Sequence, residues 1–312
     1  MTRRALVTGG AGFIGSRVVR DLFLAGWDVT VLDDLSSGRE ANLEGVTGSL
    51  RFIRASILDE EKLAEAAQGA DTVFHLAAQV SVPDSIDDPA RNHEVNATGT
   101  SRVFNAAREA GVRRVVFASS CAIYGANPTL PKEETMPPEP LSPYAATKML
   151  GELYGQCYSA TMDLEVVSLR FFNVYGPRQN PAGGYAAAIP VFIDRFLRGS
   201  KPLIHGDGGQ TRDFIYVGDV ADACLKAADA PQAPGQSINV GTGAETSVLE
   251  IVRGIGSVLG SDLDIDFGPS RAGDIPRSVG SVEKMKRLLG TGSPVPLKDG
   301  LRQTIAWYQG DA

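Results

Sequence analysis

The stretch Ser142-Pro143-Tyr144-Ala145-Ala146-Thr147-Lys148 places a phenol and a primary amine four residues apart. Ser142 and Pro143 read as a helix N-cap and the first helical residue. Tyr144 and Lys148 then fall in the opening turns and project from one face. A free phenol, with a pKa of about 10, is a poor base at neutral pH. A nearby ammonium favours the phenolate and is expected to lower that value. Such a pair suits moving a proton on and off a substrate hydroxyl. Taken alone, the spacing fits a surface helix that carries an unrelated tyrosine and lysine better than a catalytic pair, so the surrounding elements decide.

Those elements begin at Ala5 to Thr8, a short apolar run followed by Gly9-Gly10-Ala11-Gly12-Phe13-Ile14-Gly15 and a helical pattern to about Ala25. Strand, glycine turn and helix suit a dinucleotide pyrophosphate. Bare backbone can approach the phosphates, and the helix N-terminus supplies N–H groups and positive dipole. The spacing Gly9, Gly12, Gly15 departs from the commoner Gly-x-Gly-x-x-Gly, and tight strand–helix turns also use glycine for steric reasons alone. The next strand, Asp28 to Leu32, ends at Asp33-Asp34. A carboxylate there can accept both ribose hydroxyls of an adenosine and would repel a 2′-phosphate, which favours NAD over NADP. Leu35-Ser36-Ser37-Gly38 continues as a loop, in which an aspartate could equally be a turn residue.

Further strands are expected at Leu50 to Ile53, Thr72 to Leu76, Val115 to Ser119 and Leu164 to Leu169. Helices are expected at Glu60 to Ala67 and Val95 to Ala110. The alternation predicts an α/β fold: a Rossmann doubly wound parallel sheet, with ligands beyond the strand C-termini. His75-Leu76-Ala77-Ala78, Ser119-Ser120 and Phe172-Asn173 occupy such ends and are expected to line one crevice. His75 reads as a hydrogen-bonded structural histidine, since nothing pairs it into a hydrolase triad. After Gly176-Pro177 the alternation weakens. Arg178 to Gly184 reads as a loop, with helices at Pro190 to Leu197, Asp219 to Ala228, Thr246 to Leu259 and Leu301 to Tyr308. Short strands are expected at Pro202 to Asp207, Phe214 to Val217 and Ser237 to Val240. The expected division is a dinucleotide-binding domain over 1–175, with return segments at about 214–242. A smaller mixed C-terminal lobe over 176–213 and 243–312 holds the substrate.

The chain has 312 residues and a net charge of -7, with no basic footprint for nucleic acid or an anionic membrane surface. An anionic substrate would need local arginines. No apolar run approaches the roughly 18 residues of a membrane span. Cys121, Cys157 and Cys224 are scattered and suggest neither a disulfide framework nor a zinc site, so no metal is expected and a cytoplasmic setting is.

Several long motifs in order resemble the extended short-chain dehydrogenase/reductase family, in particular its nucleotide-sugar epimerases and dehydratases. They are Thr8-Gly9-Gly10-Ala11-Gly12-Phe13-Ile14-Gly15, Phe74-His75-Leu76-Ala77-Ala78, Ser119-Ser120 before Tyr124-Gly125, and Tyr144-x-x-x-Lys148. Arg170-Phe171-Phe172-Asn173-Val174-Tyr175-Gly176-Pro177, Gly206 to Phe214 and Arg271-Ala272-Gly273-Asp274 complete the set. The resemblance implies NAD in the Rossmann domain and a nucleoside-diphosphate sugar in the other lobe. It implies Tyr144 as the acid/base at the sugar 4-hydroxyl, Lys148 as the ligand of the nicotinamide ribose, and Ser120 as a hydrogen-bond partner of the same hydroxyl. The glycine turn, Asp33 with Asp34, Ser37 and Gly38, and Leu76, Ala77, Ala78 and Val80 are implied around the cofactor, together with Asn96, Ser119 and Phe172. Ser56-Ile57 stands where many relatives place Asp-Ile against the adenine. On the substrate side it implies Ser81, Asn173, Ala187, Ala188, Arg212, Arg271, Asp274 and Ser278. Guanidinium groups suit bidentate bonds to phosphate, although each arginine also reads as a surface charge.

Relatives that eliminate water carry Asp-Glu directly after the catalytic serine or threonine, and decarboxylating ones carry a glutamate there. This chain has Cys121 and Ala122, and an alanine transfers no proton. The implied outcome is 4-epimerisation through a transient 4-keto sugar. Asn180 to Pro190 is similar to the same stretch of epimerases acting on UDP-N-acetylglucosamine. Ser278 falls where glucose-restricted relatives place a tyrosine, so UDP-GlcNAc and UDP-GalNAc are expected substrates alongside UDP-Glc and UDP-Gal. Uronic-acid epimerases, other dehydratases or reductases, and a non-catalytic NAD-sensing protein remain alternatives. The resemblance also implies a homodimer built on the Val95 to Ala110 and Tyr144 to Ala160 helices.

Overall fold

The computed structural model describes residues 2–46, 50–181, 188–262, 264–270 and 275–310. Six parallel strands are laid down by Phe171: β1 (Arg4–Thr8), β2 (Asp28–Asp33), β3 (Leu50–Arg54), β4 (Thr72–His75), β5 (Arg114–Ser120) and β6 (Glu165–Phe171). After three shorter strands, β7 (Asn173–Tyr175), β8 (Leu203–His205) and β9 (Thr211–Arg212), come β10 (Phe214–Tyr216) and β11 (Ser237–Val240). The seven-stranded sheet runs β11-β6-β5-β4-β1-β2-β3, with every pairing parallel. Chain order reverses between β1 and β4. A crevice opens at that reversal, beyond the strand C-termini, because successive crossovers leave to opposite faces. The expected doubly wound sheet is the one observed.

Both faces are covered because the strands are apolar on both sides. Helix α1 (Phe13–Leu24) lies on one face through Val18, Val19 and Leu22, beside Val220 and Ala223 of a later helix. Helix α2 (Glu60–Ala67) lies on the other, where Leu63 packs with Val103, Phe104 and Tyr158. Between them in sequence come α3 (Val82–Asp87), α4 (Pro89–His93) and α5 (Gly99–Glu109). The single helix expected from Val95 instead begins with a π-helical turn, Glu94–Thr98, between α4 and α5. A widened turn of this kind lets one residue rotate out of helical register, and Asn96 sits in it.

The helix that carries Tyr144 and Lys148, α6 (Pro143–Thr161), starts as its sequence predicts. The Ser142 side chain caps it by accepting from the Ala145 N–H, and Pro143 occupies the first turn. It lies close on the sheet because Gly151 has no side chain. A Cβ there would stand 2.5 Å from the Phe117 ring.

The remaining chain adds α7 (Ala188–Leu197), α8 (Val217–Ala227), α9 (Val248–Leu259), α10 (Glu283–Leu289) and α11 (Leu297–Gln309), with strands β12 (Thr246–Ser247), β13 (Asp266–Gly268) and β14 (Arg277–Ser278). Helices α7, α9 and α11 enclose a separate core of Phe192, Phe196, Ile251, Ile255 and Leu301. Val220 and Ala221 of α8, Ile238 of β11 and Met285 of α10 join the core of the large sheet. Thr246, expected in a helix, is instead in β12, because Ser247 caps α9 in a reciprocal box with Glu250. Strands of two or three residues carry no periodicity, and β9, β12, β13 and β14 were not foreseen. Among the described residues no helix is long and apolar enough to cross a membrane, and no group of three His, Cys, Asp or Glu side chains could hold a metal.

Candidate active site

The ends of β1, β2, β4 and β5 and the helices α1 and α6 converge at the crevice. Gly9 follows β1 at a φ of 71°, and a Cβ there would lie 2.6 Å from the Ala77 backbone nitrogen. Glycine at this point therefore serves both the left-handed turn and the close approach of the chain after β4. Helix α1 opens at Gly12 with no side-chain cap. Its leading N–H groups at Phe13, Ile14 and Gly15 are available to an anion.

Asp33 ends β2 buried, and its two oxygens accept from Ala11 N (2.9 Å) and Leu35 N (2.8 Å). Each oxygen keeps a further lone pair for ribose hydroxyls. Burial raises its pKa above the usual aspartate value, against the pull of those two N–H groups. Gly38 passes so close that a Cβ would stand 3.0 Å from an Asp33 oxygen. Asp34 and Ser37 are exposed, and Asp34 only braces the loop by accepting from Ser36 N. Ser56 accepts from Leu58 N, while Ile57 is buried under Gly99 at the start of α5. The arrangement fits an adenine dinucleotide: a bare turn and helix N-terminus for the diphosphate, and a carboxylate at the neighbouring strand end for the ribose.

At the other end of the crevice Ser120 terminates β5, with its oxygen accepting from Ala122 N at 3.1 Å. The Ser120 hydroxyl lies near enough to the Tyr144 side chain to lower the pKa of the phenol. Lys148 Nζ lies 5.9 Å from the Tyr144 ring centroid and donates to the Ala118 carbonyl at 2.8 Å. The phenol and the amine thus share one side of α6, as their spacing predicts. Their ionisation does not follow the expectation. Burial pushes Tyr144 up to about 12, although the nearby Ser120 hydroxyl pulls it down, and burial alone brings Lys148 down to about 7. Loss of water weakens both charged forms by more than the pair's mutual attraction returns.

Other expected site residues act through neighbours. The Ser119 hydroxyl donates to Glu152 at 2.5 Å. Asn96 is buried and brackets Gln79, accepting from its N–H at 2.8 Å and donating to its carbonyl at 2.9 Å. It fixes the segment Leu76, Ala77, Ala78 and Val80, of which Val80 is exposed. Ser81 caps α3 by accepting from Asp84 N. Phe172 packs with Ile123 and Tyr124, and its ring backs onto Gly280. His75 is structural, as expected: it bridges Thr8 (2.8 Å) and Thr100 (3.0 Å), and burial, with the Lys148 charge, lowers its pKa to about 3.

On the substrate side, Ser278 is in register with Arg212 across β14 and β9, and Arg212 donates to the Thr211 carbonyl. Asn173 N donates to the Asp213 carbonyl at 2.9 Å. Ala188 begins α7, and Ala187, Arg271 and Asp274 lie outside the described residues. Cys121 follows Ser120 within reach of the Arg212 and Asp213 charges, and burial pushes its thiol up to about 12.

Two carboxylates escaped the residue reading. Asp213 is fully buried and accepts from Thr242 N and Oγ1 (2.7 Å each), Gly243 N (3.0 Å) and Gly280 N (3.3 Å). Its neighbour Arg212 was the only signal. Glu152 follows Lys148 by four residues, a spacing that does place it on the Tyr144 face.

A bare turn at the sheet reversal with a serine, tyrosine and lysine at its far end defines a dinucleotide-dependent enzyme of the short-chain dehydrogenase/reductase kind. Residues 5–241 match the model of the NAD dependent epimerase/dehydratase family, and the chain belongs to that family. NAD, the cofactor expected from the glycine turn and Asp33, is the cofactor of the family. The chain is 43% identical over 310 residues to a UDP-glucose 4-epimerase of Mycolicibacterium smegmatis, covering 98% of each chain. It is similar to the solved UDP-N-acetylglucosamine 4-epimerase from Methanobrevibacter ruminantium, in complex with UDP-N-acetylmuramic acid (TM-score 0.94, 37% identity, 100% of this chain and 99% of that one). It is also similar to the UDP-glucose 4-epimerase of Thermus thermophilus in complex with NAD (TM-score 0.89, 39% identity, 99% and 100%).

Proposed function

We propose that the protein is a UDP-sugar 4-epimerase acting in the cytoplasm on UDP-GlcNAc and UDP-GalNAc as well as UDP-Glc and UDP-Gal. The observation that carries this reading is the convergence of Ser120, Tyr144 and Lys148 at the end of the dinucleotide crevice. NAD bound in this crevice would supply the reversible hydride chemistry at C4 of the sugar. The positive charges of Lys148 and of bound NAD would favour the Tyr144 phenolate against its burial, and that phenolate would take the 4-hydroxyl proton and return it. Ser120, beside the phenol, would orient the same hydroxyl, and Lys148 would hold the ribose side of the cofactor. Asn173 and Arg212, with Arg271, hold the sugar and diphosphate.

Elimination lacks a catalyst. Ala122 has no proton to give, and the Cys121 thiol, pushed up to about 12, is far from a carboxylic acid in strength. The division of labour that goes with this reading is NAD on residues 1–175 with 214–242, and the nucleotide-sugar on 176–213 with 243–312. A homodimer is part of the same proposal, supported by partly exposed Leu153 and Tyr154 on α6. Sedimentation equilibrium at the monomer mass would reject it.

The test is a panel of UDP-Glc, UDP-GlcNAc and UDP-GlcA with product separation, run alongside Tyr144→Phe. The expected products are the C4 epimers of the first two. The substitution should lower turnover by about a hundredfold or more while NAD remains bound. Bound NAD without conversion of any sugar would instead support a sensor, and conversion of UDP-GlcA alone would move the substrate to the uronic acids.

A further inference from the structure

Residues 144, 148 and 152 follow one another at a spacing of four along one face of α6. The third, Glu152, takes no part in the proton transfers, yet only 4% of it is exposed. Arg170 Nη2 lies 2.7 Å from Oε2, and Arg170 Nε donates to Oε1 at 2.9 Å. Ser119 donates to Oε1 at 2.5 Å and Ser237 to Oε2 at 2.8 Å. One carboxylate thus gathers donors from β5, β6 and β11, three adjacent strands. Arg170 also donates to Tyr124 Oη at 2.8 Å, and that hydroxyl donates to Asn239 at 2.7 Å. Tyr124 belongs to the turn that Ser120 begins.

A buried ion pair is a weak device for stability, because apolar replacements of similar volume are often neutral or better. Its value here is geometric. Glu152 meets donors from all three strands in only one rotation of α6 about its axis. Gly151 and Gly155 on either side leave no side chain to cushion a shift, since a Cβ at either would press into Phe117 or Val166 at 2.5 and 2.7 Å. Ser119 and Ser120 are adjacent, so the carboxylate that holds one sets the helix against the other. We infer that Glu152 is a positioning residue: clamped by Arg170, Ser119 and Ser237, it fixes the rotation of α6 and thereby the placement of the Tyr144 hydroxyl against Ser120. The inference rests on the epimerase reading for its kinetic consequence.

The experiment compares wild type with Glu152→Gln, Glu152→Asp and Ser119→Ala. For Glu152→Gln the expected result is retained NAD, a kcat lower by about tenfold to a hundredfold and a KM within about twofold of wild type. Glu152→Asp keeps the charge but is one methylene short, and it should not rescue kcat. Ser119→Ala leaves the ion pair in place and carries the test should the charge variants fail to fold; its kcat should fall by about threefold or more. A second readout needs no substrate. The ultraviolet phenolate titration of Tyr144, assigned by its loss in Tyr144→Phe, should shift in the clamp variants. If wild type converts no UDP-sugar, the epimerase reading fails while the titration still decides the clamp. Variants that melt earlier but keep both the Tyr144 titration and kcat within about twofold would overturn it, because a purely structural pair would behave that way.

Discussion

Lys148 carries an amine to a place that water does not reach. Unfolded, the lysine holds its proton to about pH 10.4; folded, burial brings its pKa down to about 7. Between those values the unfolded chain binds the extra proton, so stability rises with pH across the interval, and below pH 7 the whole cost is present. Lys148→Met removes the amine and keeps the apolar stem. The expected outcome is a variant without turnover that melts higher than wild type at pH 6, with the difference shrinking towards pH 10. Paired thermal melts across that range check it, and parallel pH dependences of the two proteins would refute it. The fold therefore bears a cost at this residue for the sake of chemistry, as strained or desolvated functional groups commonly require.

The short strands show a similar division between what holds and what reacts. Asp213 stands at the junction of β9 and β10, and its backbone carbonyl receives Asn173 of β7. Its carboxylate receives the loop after β11 and Gly280 beyond β14. Each of these segments carries, or borders, a proposed substrate residue: Asn173, Arg212 or Ser278. Asp213→Asn replaces one acceptor oxygen by a donor facing N–H groups, and hydrogen bonds to a charged group contribute roughly 1.5–3 kcal/mol each. The expected effect is a KM for the UDP-sugar raised by about tenfold or more, with NAD content unchanged. Isothermal titration with UDP separates nucleotide binding from turnover, and an unchanged UDP affinity would reject the role.

At the scale of the whole molecule, the proposed substrate pocket belongs to no single continuous piece of chain. Ser278 meets Arg212 only because β14, 66 positions later in the sequence, lies beside β9 in the sheet β12-β9-β14. On the proposed reading, a small side chain there would leave volume for an acetamido group. Ser278→Tyr should therefore abolish turnover of UDP-GlcNAc and UDP-GalNAc while sparing UDP-Gal. Separate kcat/KM values for the two sugar classes check this, and equal losses on both would reject the pocket-volume argument.

Much of this molecule was legible before any fold was known. Local rules placed the glycine turn after a strand, Asp33 at the next strand end, and Ser142-Pro143 at the head of α6, because each depends on neighbours a few residues away. Helix α2 and strand β11 occur with the boundaries their patterns predict. The ionisation of Tyr144 and Lys148 was not legible, since burial is set by the whole sheet packed around them. The side-chain partners of Ser119 and Asn96 were not legible either. In three dimensions, the Ser119 hydroxyl serves Glu152 and the Asn96 amide serves Gln79. Strands of two residues, such as β9 and β14, exist only through partners far away along the chain, and no local periodicity announces them. The amino-acid order by itself determined which groups could do the chemistry and how the core elements alternate, because those follow from spacing and backbone preference. Only the tertiary structure decided which of those groups lose their water, which turn inward to hold others, and which meet across the crevice, because desolvation and long-range pairing are properties of the packed whole.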